Sequence, residues 1–227
     1  SDLEVLALGL AMAEEEGKRF IPRCSASFVK ACAGLEDRPF LSASEMRGVD
    51  PGPGVVIVGS WVARTGRQLD ALLSLPRVRH VELSCGILLG EQGSERLVRA
   101  AARQADAAIR AGETIVVSAS RGRLPLEGEA FLAAGERIMD GLCSVTRGMR
   151  ERPSFMIAKG GITSDRIARS GLGVHSTLVL GQAETGIPVW RLGPESRFPG
   201  LPYIVFPGNV GDDGALARIC ASLDRDG

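Results

Sequence analysis

Aromatic residues are scarce, at 4% of the chain, with one tyrosine, two tryptophans and two histidines, and there is no excess of either charge, with 27 acidic against 27 basic residues. A nucleic-acid surface draws on a basic surplus or on stacking rings, so this balance argues against nucleic acid and for a small-molecule partner. The five cysteines, Cys24, Cys32, Cys85, Cys143 and Cys220, contain no CxxC spacing and stand beside only His80 and His175. Neither a zinc site nor a disulfide framework is indicated, and a reduced, cytoplasmic setting is the simpler expectation. Apolar runs stay at strand length, far short of a membrane span, and no charged region followed by an apolar signal core opens the chain. No Walker A pattern occurs, and Gly171-Leu172-Gly173 lacks the third glycine of a dinucleotide fingerprint.

What is present is a break that recurs three times: a short apolar run, a glycine-rich turn, then a helix start. The three are Val55–Ser60, Phe155–Asp165 and Tyr203–Asp212. In a parallel sheet such breaks lie at the carboxyl ends of strands, where glycine lets a ligand approach the backbone and helix N-termini attract anions. A phosphate or nucleotide binder is the reading that follows. With 44% apolar residues, 227 positions suffice for the core of one sizeable domain.

The pattern predicts helices near 3–16, 25–33, 65–75, 94–111, 127–149, 163–170 and 212–223. It predicts strands near 55–58, 78–83, 114–119, 154–158, 174–180, 187–192 and 202–206, with a short extended piece at Phe20-Ile21-Pro22. A linker, Asp50-Pro51-Gly52-Pro53-Gly54, precedes the first strong strand. Strands alternating with helices imply an α/β fold: a mostly parallel or mixed sheet with helices on both faces and glycine-rich loops at the strand C-terminal ends. The strands near 174 and 187 follow one another directly and predict a local antiparallel element. Asp2 is placed to cap the first helix, and the opening at Ser1 rather than at a Met is read as a piece of a longer protein.

In the central loop, Lys159 to Asp165, two glycines free the backbone to point N–H groups at an anion. Thr163 or Ser164 can cap the next helix and donate a hydroxyl, and Lys159 can add a cation. A tight turn with an ordinary cap explains the same residues. In the last loop Asn209 offers hydrogen bonds. Asp212 and Asp213 either hold Mg²⁺ through water or, as the simpler alternative, suit the helix dipole, so no metal ligand is assigned. Gly59 and Ser60 place a hydroxyl near the same ligand, and Ser118, Ser120 and Arg121 border it from another strand end. His80 and His175 read as structural or exposed, Cys85 as a buried thiol, and Arg191, Glu195 and Arg197 as loop charges.

Gly59–Leu73 (GSWVARTGRQLDALL), Lys159–Ala168 (KGGITSDRIA), Gly181–Tyr203 (GQAETGIPVWRLGPESRFPGLPY) and Phe206–Leu216 (FPGNVGDDGAL), opened by Gly17–Gly34, together resemble the nucleotide-binding C-terminal domain of the four-carbon acid sugar kinases. The resemblance covers essentially all of residues 1–227. It implies one nucleotide-binding domain, the C-terminal part of a two-domain kinase that uses ATP with Mg²⁺ to phosphorylate a small sugar acid such as a threonate, erythronate or oxo-tetronate. ATP contacts carried over by position are Ser60, Gly160, Gly161, Ile162, Thr163, Gly208, Asn209 and Gly211. The sugar acid and catalytic carboxylate belong in that family to an N-terminal domain whose Asp-Asp motif this chain lacks, so the catalytic residue is unknown and the chain alone is expected to be inactive. Two departures, Phe206-Pro207-Gly208 for a Lys-Ser-Gly run and Ile162 for an acid, resemble a subfamily pattern. The alternatives are a non-catalytic module sensing a phosphorylated metabolite, and an acyl or aldol enzyme using Cys85 or Lys159. Homo-oligomerisation through Leu/Val-rich helix faces fits such a kinase.

Overall fold

The computed structural model describes residues 1–47, 52–90, 92–121 and 126–224. Of the expected linker, Asp50 and Pro51 lie outside these residues. The chain forms two compact units, Ser1–Pro39 and Phe40–Gly227.

The small unit holds α1 (Asp2–Glu15) and α2 (Ala26–Cys32), which touch each other. Ser1, one residue before the expected Asp2, caps α1, because the helix already begins at Asp2. None of the α1 side chains is buried, and Val5, Leu6, Leu8 and Met12 stay more than half exposed. The extended piece Phe20-Ile21-Pro22 joins no strand.

In the large unit, α3 (Ala43–Met46) precedes β1 (Val55–Val58), α4 (Ala63–Leu73), β2 (Val78–Leu83), α5 (Cys85–Leu89), α6 (Ser94–Arg110), β3 (Thr114–Ala119) and α7 (Gly128–Gly148). Then come β4 (Met156–Lys159), α8 (Gly161–Arg166), a wider π turn over Ile167–Gly171, β5 (Thr177–Glu184), β6 (Ile187–Leu192), β7 (Pro202–Phe206) and α9 (Ala215–Leu223). The sheet order is β2-β3-β1-β4-β7-β6-β5. The pairs from β2 through β7 are parallel, whereas β7–β6 and β6–β5 are antiparallel. The expected mixed α/β class and the antiparallel element are thus both present.

Helices cover both faces, which is why the central strands read as unbroken apolar runs rather than alternating ones. Val55 and Ile57 of β1 pack with Leu88 of α5, Ala101 and Ala105 of α6, and Leu142 and Val145 of α7. Val56 and Val58 pack on the opposite face with Leu69 and Leu72 of α4 and Leu216 and Ile219 of α9. Each fully buried Val, Leu or Ile among them contributes roughly 1.5–3 kcal/mol through removal from water. On α6 the small residues Ala101, Ala105 and Ala108 recur at helical spacing, so that helix lies close against the sheet.

Two sets of polar residues behave differently from expectation. His175 lies in the turn before β5 rather than in a strand, because β5 begins only at Thr177. Glu195 and Arg197 are tie points, not plain loop charges. The Glu195 carboxylate accepts the backbone N–H groups of His175 at 2.8 Å and Ser176 at 2.7 Å, and the Arg197 guanidinium donates to the Met149 carbonyl. Its own backbone N–H and those of Ser176 and His175 hold the Glu195 carboxyl down at about 2. A carboxyl with a depressed folded pKa contributes stability that is present above its unfolded value near 4.5 and is lost as pH falls toward 2. Glu195→Gln is therefore expected to lower the melting temperature at pH 7, with the difference from wild type shrinking between pH 5 and pH 2. Melting curves across that range check it, and a difference independent of pH would show that the carboxylate charge is not what holds the loop.

Candidate functional site

β1, β4 and β7 are neighbours in the sheet, and Val58, Lys159 and Phe206 stand side by side at their carboxyl ends. The three glycine breaks spread over 150 residues of sequence are therefore adjacent loops. They are stitched directly: the Gly160 N–H donates to the Phe206 carbonyl at 2.8 Å, and Thr65 Oγ1 of α4 lies 3.1 Å from Ser60 Oγ and 3.2 Å from the Gly208 carbonyl. Above them opens a cavity of about 810 Å³.

Seven of the eight expected contact residues, Ser60, Gly160, Gly161, Ile162, Thr163, Gly208 and Asn209, line this cavity. Gly211 does not. Its φ of +77° turns the last loop, and a Cβ there would lie 2.7 Å from the Cβ of Ala215, so its need for glycine is structural. The closeness of the loops explains the glycines that do line the cavity. A Cβ on Gly208 would lie 2.8 Å from Ser60 Oγ, and one on Gly160, whose φ is +123°, would lie 2.8 Å from Thr163 Oγ1.

Several expected roles change. Thr163 and Ser164 do not cap α8: the helix begins at Gly161 with Gly160 as its N-cap, two residues earlier than expected. Ser164 Oγ is buried and turned inward, within 2.7 Å of the Ala158 carbonyl and 2.8 Å of the Gly160 carbonyl, so it is not free for a ligand. Lys159 is fully buried beneath the loops rather than set in the cavity. Its Nζ donates to the Pro207 carbonyl at 2.6 Å and lies 4.1 Å from the centre of the Phe206 ring. Burial, with the added repulsion of Arg64 and Arg121, lowers its pKa to about 8.

The acids of the last loop are held by arginines instead of standing in a first helical turn. Asp212 accepts from Arg218 at 2.8 Å and from the Gly214 N–H at 2.9 Å, while Asp213 pairs with Arg67 at 2.9 Å. α9 begins only at Ala215, so these residues form the turn before it rather than its first turn. Among the described residues no group of three or more His, Cys, Asp or Glu is placed to hold a metal ion. Cys85 is a buried thiol whose Sγ donates to the Ser120 carbonyl, and it lies outside the cavity lining. His80 Nε2 is 2.8 Å from Ser118 Oγ, a pairing of two neighbouring strands.

Other residues gather here that the glycine pattern did not single out as contacts. Gln68, wholly buried on α4, donates through Nε2 to the carbonyls of Val210 at 3.0 Å and Asp212 at 2.8 Å and clasps the last loop. Its spacing from Thr65, one helical turn, was the available signal. Arg64 donates to the Asn209 carbonyl at 2.7 Å and Arg121 to the Ser60 carbonyl at 2.6 Å. Trp61, Phe131, Ile138 and Met139 supply an apolar wall. Phe131 and Met139 come from α7, far away in sequence, and no local pattern marks them.

A mixed sheet whose glycine loops converge over one cavity at the carboxyl ends of parallel strands is the architecture of a phosphate-binding domain. Residues 55–216 match the model of the nucleotide-binding C-terminal domain, and the chain belongs to that family. The expected resemblance is borne out at that level. The chain is similar to a solved DUF1537 domain of unknown function from Bordetella bronchiseptica, which carries bound citrate and forms a domain-swapped dimer. The TM-score is 0.59 and the identity 19%, over 81% of this chain and 43% of that one. It is also similar to a protein from Salmonella typhimurium LT2 proposed to be a tRNA synthase, with a TM-score of 0.56 and 15% identity over 81% of this chain and 42% of that one. These likenesses concern the fold, and this chain spans about two-fifths of the length of either structure. No curated protein matches it. Among the described residues no helix is long and apolar enough to cross a membrane.

Proposed function

We propose that this chain is the ATP-binding part of a kinase that phosphorylates a hydroxyl of a small, four-carbon sugar acid such as a threonate, erythronate or oxo-tetronate. The observation that carries the reading is the convergence of three glycine loops on one cavity in a chain of the nucleotide-binding family. The loops meet so closely that Gly160 and Gly208 leave no room for a Cβ, which draws the three strand ends together under one ligand-sized cavity. Ser60, Gly160, Gly161, Ile162, Thr163, Gly208 and Asn209 surround the nucleotide in this reading, and Gly211 acts by shaping the last loop. ATP supplies the transferable phosphoryl group, and the chain's task is to hold it in line with the acceptor. Mg²⁺ enters with the phosphates, as is usual for a cation that keeps several waters, since the acids nearest the last loop are engaged by arginines.

The sugar acid and the carboxylate that activates its hydroxyl are assigned to a separate N-terminal domain, in line with this chain spanning two-fifths of its structural relatives. Citrate, held by the Bordetella relative, is itself a small hydroxy acid, and the domain-swapped dimer of that relative supports self-association here. A cytoplasmic setting belongs to the same reading. Calorimetric titration of the chain with Mg-ADP and Mg-ATP, against inorganic phosphate and a phosphorylated sugar acid, tests it. Nucleotide binding without sugar-acid turnover is expected. Binding of the phosphorylated sugar acid alone would replace it with a metabolite-sensing module.

A further inference from the structure

The cavity has two chemically different ends. At one, Trp61 from the β1 loop and Phe131 from α7 meet edge to face, with ring centroids 6.1 Å apart and planes at 75°. Both remain accessible, Trp61 at 36% and Phe131 at 43%, beside the still more exposed Leu132 and Ile162. Of two tryptophans and seven phenylalanines, one of each lines this cavity with its ring partly uncovered. At the other end Ser60, Gly208 and Asn209 line it, and Arg121 and Arg64, which are not lining residues themselves, donate to the Ser60 and Asn209 carbonyls. Neither arginine pairs with a carboxylate among the described residues, and each gives one N–H to the loop while keeping other donors of its fork. α4 is shaped to admit Arg121, since a Cβ at Gly66 would lie 2.7 Å from its Nη1.

We propose that the cavity fixes the orientation of a bound nucleotide: the base lies against Trp61 and Phe131, and the phosphates lie at the Ser60–Gly208 corner, beside which Arg64 and Arg121 supply positive charge. This rests on the reading that the chain binds a nucleotide, and adds to it the residues that tell base from phosphate. A base offers a π face to an aromatic ring, and a phosphate is favoured where guanidinium charge stands close by. The reverse orientation sets a polyanion against apolar rings and away from both arginines.

The test uses three ligands that separate the ends: Mg-ADP, adenosine and inorganic pyrophosphate, titrated into wild type, Trp61→Ala and Arg121→Gln and followed by calorimetry and tryptophan fluorescence. Trp61→Ala is expected to weaken ADP about tenfold and abolish adenosine binding with pyrophosphate unchanged, as suits the loss of one stacking surface. Arg121→Gln is expected to weaken ADP and pyrophosphate but not adenosine, with Arg121→Lys recovering part of the loss and so separating charge from folding. Trp61 is surface-exposed, and melting curves confirm that its variant folds. ADP binding that is indifferent to Trp61, or pyrophosphate binding that depends on it, would overturn the orientation while leaving nucleotide binding intact. Absence of ADP binding to wild type would overturn both.

Discussion

Gly161→Val is expected to melt within about 2 °C of wild type and to bind Mg-ADP at least tenfold more weakly, a loss of roughly 1.4 kcal/mol or more. A Cβ built at Gly161 meets no atom within 4 Å, and the residue lines the cavity at the first position of α8, so the valine methyl groups enter the space the ligand needs and nothing else. Stability is further protected because valine loses less backbone freedom on folding than glycine does. The neighbouring glycine provides the contrast. At Gly160 the φ of +123° is hostile to any side chain, and a Cβ would lie 3.1 Å from the Cβ of Ser60 and 2.8 Å from Thr163 Oγ1. Gly160→Ala is therefore a folding variant, with a backbone cost on the order of 1–3 kcal/mol before any effect on ligand. Melting curves and titration of both variants separate the two roles, and a folded Gly161→Val with unchanged affinity would remove this loop from the site.

That contrast also marks how far sequence alone reaches. The strands were legible because β1 is apolar throughout and β3, β4 and β7 are mostly so, and their common fate as parallel neighbours followed from the helices between them. The glycine breaks pointed to the right end of the sheet, since only a few residue types tolerate such close loops. Sequence did not reveal that Ser164 would turn inward or that α8 would begin at Gly161, because a cap is decided by which residue first leaves helical geometry and both choices satisfy the same pattern. α5 was hidden because five residues, Cys85–Leu89, are too few to show a helical period. The apolar wall was hidden for another reason: Phe131 and Met139 belong to an α7 pattern that reads as ordinary core, and only the fold brings their end of the helix over the β1 loop.

Lys159→Met is expected to stabilise the large unit at pH 7 and to lose that advantage as pH rises to about 10. Lys159 Nζ sits on the Pro207 carbonyl beneath the loops, in a side chain with no exposed surface, and its pKa falls from 10.5 to about 8. At about 1.4 kcal/mol per pH unit, keeping this ammonium charged in the folded state at neutral pH costs on the order of 3 kcal/mol. Between pH 8 and pH 10.5 the unfolded chain holds a proton that the folded one has released, so this group makes stability rise with pH across that window. Two other buried groups act in the opposite direction. Burial pushes the Cys220 thiol up to about 12 and the Tyr203 hydroxyl well above 10, so the folded state keeps protons that the unfolded state gives up and stability falls as pH climbs. Only the difference between wild type and Lys159→Met isolates the lysine, read from urea unfolding at pH 7 and pH 10. Pro207 is only partly buried, so its carbonyl can exchange the lost donor for water, and the net gain at pH 7 is expected to be about 1–2 kcal/mol. A carbonyl released in this way also frees the loop that carries Gly208 and Asn209, so nucleotide affinity is expected to fall in the same variant. Greater stability with weaker binding would identify Lys159 as a strained tether kept for the ligand, whereas a stability difference that does not change with pH would mean that its ammonium is no harder to keep charged in the fold than in water.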